Sequence, residues 1–321
     1  MAQSTVDATV AVATPRETSV SLEVNLGGLS MKNPVTTASG TFAAGREFAD
    51  FVDVASLGAV TTKGVSLNGW EGNASPRIAE TPSGMLNSIG LQNPGVAHLK
   101  EIELPWLAEV GATTIVNVSG HSFQEYVDVI EALEEAPNVG AYEVNISCPN
   151  VDAGGLNMGT STESVERVVS LCRAATKRPL IVKLTPNVTD ITEIARAAVA
   201  AGADALSMIN TLMGMAIDAE RQRPQLARVV GGLSGPCVKP VALRAVWETH
   251  KAVDVPILGM GGICTGTDAI EFILAGATAV AVGTANFIDP ASTVRVIDGI
   301  IDYCERYGVT DVNELRGALK C

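Results

Sequence analysis

Aromatic residues are scarce in this chain: Phe, Trp and Tyr make up 4% of 321 residues, whereas glycine alone contributes 31. A core so poor in rings must be built from Val, Ile, Leu and Ala, which favours an α/β protein with tight glycine turns over an all-β one. Basic residues are also in deficit, with 22 Lys and Arg against 35 Asp and Glu and a net charge of −13. That argues against a nucleic-acid or anionic-membrane partner, since both need a basic face. No run approaches the roughly 18–20 uninterrupted apolar residues of a membrane span. The six cysteines (Cys148, Cys172, Cys237, Cys264, Cys304 and Cys321) include no CxxC pair. They form neither a disulfide framework nor a zinc or iron–sulfur ligand set, and a reducing, cytoplasmic compartment is expected. His98, His121 and His250 have no ligand spacing, so no metal site is expected. Residues 1–18 lack a basic start and a sustained apolar run, and are expected to be a disordered tail rather than a signal peptide.

What the chain does have is a rhythm, and residues 19–321 are expected to form one domain. Two short alternating runs around Asn25-Leu-Gly-Gly28 predict a hairpin. Strand patterns then recur at Pro34–Ser39, Ala59–Lys63, Thr113–Ser119, the run from Ala141, Pro179–Thr185, Ala205–Thr211, Pro256–Met260 and Ala279–Val282. Helical patterns follow each, over Arg46–Val54, Val96–Val110, Phe123–Glu135, Ser161–Ala175, Ile191–Ala201, Val238–Ala252, Thr267–Ala275 and Ala291–Arg306. Long irregular inserts precede Gly95 and Gly235. Eight strand–helix units without a linker predict a (β/α)8 TIM barrel, with an N-terminal capping hairpin and inserts at the C-terminal face. A doubly wound sheet shares the rhythm but rarely repeats it eight times.

The organising stretch is Ala141-Tyr-Glu-Val-Asn-Ile-Ser-Cys-Pro-Asn150. Val144 and Ile146 alternate with Glu143, Asn145 and Ser147, giving one apolar and one polar face. Cys148 falls just past the strand, where Pro149 stops it. An amide on the strand and a thiol at its mouth suit a flat polar ligand and a proton transfer; a half-buried cysteine in an ordinary turn has the same local pattern. In a barrel the chemistry gathers at the C-terminal strand ends. Lys63, Asn117, Asn145, Lys183 and Asn210-Thr211 all fall there. A lysine between Val182 and Leu184 is costly to bury unless an anion or acceptor meets it. Strands seven and eight run into Gly259-Met-Gly-Gly262 and Gly283-Thr284, where barrels often bind phosphate. The insert Asn87-Ser-Ile-Gly-Leu-Gln-Asn93 is placed to fold over the mouth, and Asp152–Thr160 to act as a lid. Plain turn chemistry would account for either glycine pair alone.

Taken in order, Ala38-Ser-Gly40, Thr61-Thr-Lys-Gly64, Asn87-Ser-Ile-Gly-Leu91, Asn145-Ile-Ser-Cys-Pro-Asn150 and Val182-Lys-Leu-Thr-Pro186 resemble class 1 dihydroorotate dehydrogenase. Ile209-Asn-Thr211, Gly231-Gly-Leu-Ser-Gly235, Gly261-Gly262 and Gly283-Thr284 continue the resemblance from about Ser19 to the C-terminus. It implies an FMN-binding barrel that oxidises dihydroorotate to orotate in pyrimidine synthesis. Cys148 would be the base that takes the C5 proton, while the C6 hydride leaves for flavin N5. Ser39, Lys63, Gly64, Asn117, Asn145, Lys183 and Ile209 match flavin contacts, and Gly235, Gly261, Gly262, Gly283 and Thr284 the ribityl phosphate end. Lys63, Asn87, Ser88, Ile89, Gly90, Leu91, Asn145, Asn150, Asn210 and Thr211 match the orotate site, where amides suit a pyrimidine dione.

The loop Val151-Asp-Ala-Gly-Gly-Leu-Asn-Met-Gly-Thr160 resembles the class 1B branch. That implies electrons passing to NAD through a partner subunit that carries FAD and a 2Fe-2S cluster, in a heterotetramer of two catalytic and two electron-transfer subunits. The class 1A homodimer, which uses fumarate, is the alternative. A Schiff-base aldolase built on Lys183 or Lys63, or a non-catalytic barrel binding a phosphate ligand, would be other readings of the same strand ends.

Overall fold

Parallel strands buried on both faces need continuous apolar sequence, and the strands of this chain supply it. The computed structural model describes residues 11–146 and 159–320. β1 (Val24–Leu26) and β2 (Leu29–Met31) pair antiparallel with Val24 opposite Met31, which is the expected hairpin. Gly27 abuts the Asp204 carbonyl and Leu29 abuts Gly140, so the hairpin lies across the N-terminal approach to two barrel strands.

The barrel begins with β3 (Val35–Thr37) and β4 (Val60–Thr61). β5 (Ile78–Thr81) and β6 (Gly84–Asn87) follow within the first insert. α1 (Val96–His98) runs through a π turn at Leu99–Glu103 into α2 (Leu104–Glu109). Then come β7 (Thr114–Val118), α3 (Phe123–Leu133), β8 (Ala141–Asn145), α4 (Thr162–Ala175), β9 (Leu180–Lys183), α5 (Ile191–Ala200) and β10 (Ala205–Met208). The second insert holds β11 (Leu212–Met215), β12 (Ile217–Asp218), β13 (Arg223–Pro224) and β14 (Val230–Ser234). α6 (Lys239–Ala252), β15 (Ile257–Met260), α7 (Gly266–Ala275), β16 (Ala279–Val282), α8 (Ala285–Ile288) and α9 (Ser292–Tyr307) complete the order.

The parallel strands lie in the order β3-β16-β15-β10-β9-β8-β7-β4. The two ends of this eight-stranded sheet meet through Gly58 N–H to the Val35 carbonyl (2.9 Å), Thr36 Oγ1 to the Ala59 carbonyl (2.8 Å) and Thr61 N–H to Thr37 Oγ1 (3.1 Å). Threonine hydroxyls thus stand in for ladder bonds at the seam, and the whole is a (β/α)8 TIM barrel. Every residue of β7 to β10, β15 and β16 is buried.

Two expectations change together. The helix over Arg46–Val54 is replaced by single 3₁₀ turns at Arg46–Phe48 and Val54–Ser56. Residues 11–18 of the expected tail are ordered against this region. Ala13 N–H bonds the Phe51 carbonyl (2.8 Å) and Asp53 N–H bonds the Ala13 carbonyl (2.9 Å), using groups a helix would have kept for itself. Arg16 then clasps Asp302 (2.7 Å) and Glu305 (2.8 Å) on α9. The inserts also hold more order than expected: they pair with each other as a four-stranded antiparallel sheet, β11-β14-β6-β5, with Gly232 opposite Asn87. No helix among the described residues is long and apolar enough to cross a membrane.

Candidate active site

Strand register decides which side chains meet inside the barrel. Asn117 on β7 is level with Glu143 on β8, and Asn145 on β8 is level with Lys183 on β9. Side chains two apart on a strand share a face, so Glu143 and Asn145 both turn inward, one above the other. Asn145 is 5% exposed and Lys183 4%, at the floor of a cleft in the C-terminal face. Tyr126 reaches in from α3 and donates to the Asn145 carbonyl at 2.9 Å, pinning the end of β8.

The cleft has an empty volume of about 1340 Å³, its open mouth included. Of the expected cofactor residues, Ser39, Lys63, Gly64, Asn145, Lys183, Ile209, Gly235, Gly261, Gly262, Gly283 and Thr284 line it. Asn87, Ile89, Gly90, Leu91, Asn210 and Thr211, expected at the substrate, line the same cleft. Asn117 and Ser88 do not: both are fully buried. Cys148 and Asn150, with residues 152–158 of the expected lid, lie outside the described residues.

The cleft is polarised. Lys63, Asn145 and Lys183 stand at the ends of β4, β8 and β9, on the arc of the ring opposite the glycines that follow β15 and β16. Lys183 Nζ lies 3.5 Å from Ser39 Oγ and 3.7 Å from Glu143 Oε2. On the opposite arc Gly235, Gly261 and Gly262 have φ of 99°, 124° and 82°, and the Thr284 hydroxyl bonds Ser234 Oγ at 2.8 Å. Lys239, packed against Gly262, gives its ammonium to Asp268 (2.6 Å) and Glu271 (2.8 Å). The Asp268 bond first, then Glu271, raises its pKa above the lysine range, against the opposing pull of burial. An anion on this arc would therefore meet backbone, hydroxyls and bare glycine rather than the Lys239 ammonium.

A flavin mononucleotide fits this arrangement. Its phosphate suits the Cβ-free arc, and its ring system suits the walls and the lysine-bearing floor. At Gly64 an added Cβ would lie 2.7 Å from Asn117 Oδ1 and 3.0 Å from Ser119 Oγ, so only glycine lets the wall close there. Asn117 Oδ1, Ser119 Oγ and Ser88 Oγ are buried without a hydrogen-bond partner among the described residues.

Sequence reasoning passed over several residues that build the site. Glu143 accepts from Asn117 Nδ2 (2.5 Å) and Ser207 Oγ (2.7 Å) and is completely buried. Its place beside Asn145 on the polar face of the strand was the available signal. Asn187 ties the end of β9 to the second insert, donating to the Thr211 carbonyl (3.0 Å) and accepting from Met213 N–H (2.9 Å). Nothing local marked it. Met85, Leu233 and Phe287 line the cleft from the inserts and from α8, whose approach only the fold reveals.

Comparison with known proteins agrees with this geometry. The chain is 57% identical to the dihydroorotate dehydrogenase B (NAD(+)) catalytic subunit of Alkaliphilus metalliredigens over 302 residues, 94% of this chain and all of that one. It is 56% identical to the protein of the same name from Bacteroides fragilis, covering 93% and 99% of the two chains, and 55% identical to that of Geotalea uraniireducens, covering 93% and 98%. The sequence model of one family, described as dihydroorotate dehydrogenase, matches residues 21–303, and the chain belongs to that family.

Proposed function

We propose that this chain is the FMN-bearing catalytic subunit of a B-type dihydroorotate dehydrogenase, oxidising dihydroorotate to orotate in pyrimidine synthesis. The observation that carries the reading is the polarised cleft, with two lysines and Asn145 on one arc and bare glycines on the other. Ser39, Lys63, Gly64, Lys183 and Ile209 would hold the ring system, and Gly235, Gly261, Gly262, Gly283 and Thr284 the phosphate. A bound flavin supplies the acceptor for the hydride that leaves C6 of dihydroorotate.

The chain's own residues do the rest. Cys148, three residues beyond Asn145, takes the C5 proton. A thiol has an ordinary pKa of about 8.5 and serves as a base near neutrality when positive charge is close. Lys63 and Lys183 stabilise negative charge that develops on the ring system. Asn87, Asn145, Asn150 and Asn210 read the dione, and Thr211 with Ile89–Leu91 encloses it. Asn210 Nδ2 already stands 3.4 Å from Asn145 Oδ1, so the two amides converge on one place. The relatives' name, a catalytic subunit linked to NAD(+), supports a partner subunit; the class 1B resemblance of the Val151–Thr160 loop adds FAD and a 2Fe-2S cluster on that partner. Two subunits of each kind, in the cytoplasm, complete the reading.

The test is an anaerobic titration of the purified subunit with dihydroorotate, following the visible flavin spectrum. Bleaching that NAD reverses only with the partner present is the expected result. Cys148→Ala should keep FMN and lose almost all bleaching; Cys148→Ser should be slow at neutral pH and recover at high pH. Unchanged turnover in either variant removes Cys148 from its role, and reversal by fumarate alone moves the chain to class 1A.

A further inference from the structure

Glu143 takes no part in the chemistry above, yet it sits beneath the strand ends that carry it. It is fully buried inside the barrel, one inward position below Asn145. Ser207 on β10 donates to Oε1 at 2.7 Å, and Asn117 on β7 donates to Oε2 at 2.5 Å. Lys183 on β9 holds its ammonium 3.7 Å from Oε2. One carboxylate thus gathers groups from three other strands.

Two physical consequences follow. A carboxylate only accepts, so Asn117 must turn Nδ2 toward it, leaving Oδ1 against Gly64 in the cleft wall. Lys183 is held more loosely. Contact ion pairs close to ~2.7–2.9 Å, so an ammonium at 3.7 Å is shared between the carboxylate below and the cleft it lines above. A negative charge so near also subtracts from the positive potential that Lys183 projects into the cleft.

We propose that Glu143 is a positioning residue: it fixes the Asn117 amide and, as the buried counter-ion of Lys183, sets how strongly that ammonium favours reduced over oxidised flavin. The inference rests on the FMN reading given above. Two-electron reduction makes the flavin ring anionic near neutral pH, so Lys183 favours the reduced form and Glu143 opposes it. Glu143→Gln keeps the side chain's size and removes its charge. The ratio of reduced to oxidised FMN affinity should then rise about tenfold, which is about 30 mV upward in midpoint potential for a two-electron couple.

The test measures the midpoint potential of the full-length, FMN-loaded chain and of Glu143→Gln by anaerobic dye equilibration, with FMN affinity titrated separately on each apoprotein. An upward shift in Glu143→Gln, with a downward shift in Lys183→Met, is the expected result. A flavin-loaded wild type whose Glu143→Gln potential falls, or moves by less than about 10 mV, overturns the inference alone. A wild type that binds no FMN overturns the cofactor reading, and the inference with it. Should Glu143→Gln not fold, the double variant Glu143→Gln/Lys183→Met gives the readout, because neutralising both partners removes the unpaired buried charge. It should melt above either single variant, and a double variant less stable than both singles overturns the pairing.

Discussion

Replacing Gly64 by alanine tests how rigidly the cleft wall is built. The new Cβ would lie 2.7 Å from Asn117 Oδ1 and 3.0 Å from Ser119 Oγ. The amide has little room to retreat. Asn117 is fully buried and its Nδ2 is held by Glu143 at 2.5 Å, so moving Oδ1 away loosens that bond. Overpacking of this kind costs ~1–3 kcal/mol. With an unfolding entropy of ~2.1 cal/mol/K per residue, a chain of this length loses about 1.5 °C of Tm per kcal/mol, so Gly64→Ala should melt about 1.5–4.5 °C lower. Calorimetry measures the loss, and an FMN titration should show weaker binding, since the displaced wall belongs to the cleft. The control is Asn117→Ala, which removes the clashing oxygen. In that background the alanine at 64 should cost less than ~1 kcal/mol. An equal penalty in both backgrounds would refute the reasoning, because the cost would then not come from an amide held by Glu143.

Tyr126→Phe removes the hydroxyl that pins the Asn145 carbonyl and should cost about 1–2 kcal/mol in urea unfolding, with a raised KM for dihydroorotate. An unchanged midpoint would show that the carbonyl finds another donor at no cost. Asp268 governs an acid-sensitive part of the stability. Burial pushes its pKa up, but bonds from Lys239, the Cys264 and Thr265 amides and the Thr265 hydroxyl outweigh that and hold it below the usual carboxylate value. A depressed acid stabilises the fold above its unfolded pKa of ~3.9, and that contribution is lost as pH falls through the folded value. Asp268→Asn should therefore melt lower than wild type at pH 7, with the gap closing below about pH 4. A gap that stays constant down to pH 3 would exclude the linkage.

The sequence made the barrel legible because each buried strand carries its own apolar run, and runs such as Leu180–Lys183 need no partner to be recognised. The polar residues inside them were legible for the same reason: Lys183 between Val182 and Leu184 breaks a pattern. The sheet over the mouth was not. β6 and β14 are short and half-buried, and the sheet is completed only when these two strands, each paired locally with β5 or β11, meet across the fold. The order of residues 11–18 is no more legible in the sequence. Their order comes from Phe51, Asp53, Asp302 and Glu305, distant in sequence and silent about their partner. Glu143 was visible on the polar face of its strand, but its meaning depends on Asn117, Ser207 and Lys183 arriving from three other strands.

The pairing of β6 with β14 has a consequence for how the protein is made. The bond from Asn87 Nδ2 to the Gly232 carbonyl spans 145 residues. At a synthesis rate of ~5–20 residues per second, β14 leaves the ribosome roughly 7–30 s after β6. Throughout that interval the β5–β6 hairpin lacks the strand that will join it to β11 and β14, and the loop-closure entropy of so distant a contact places that pairing among the last to form. The floor of the cleft, laid down by β7, β8 and β9 as neighbours in the chain, can be standing before its roof exists. A nascent chain therefore passes through a period in which this region is open, and protease cutting between residues 78 and 91 should mark chains stalled before Ser234.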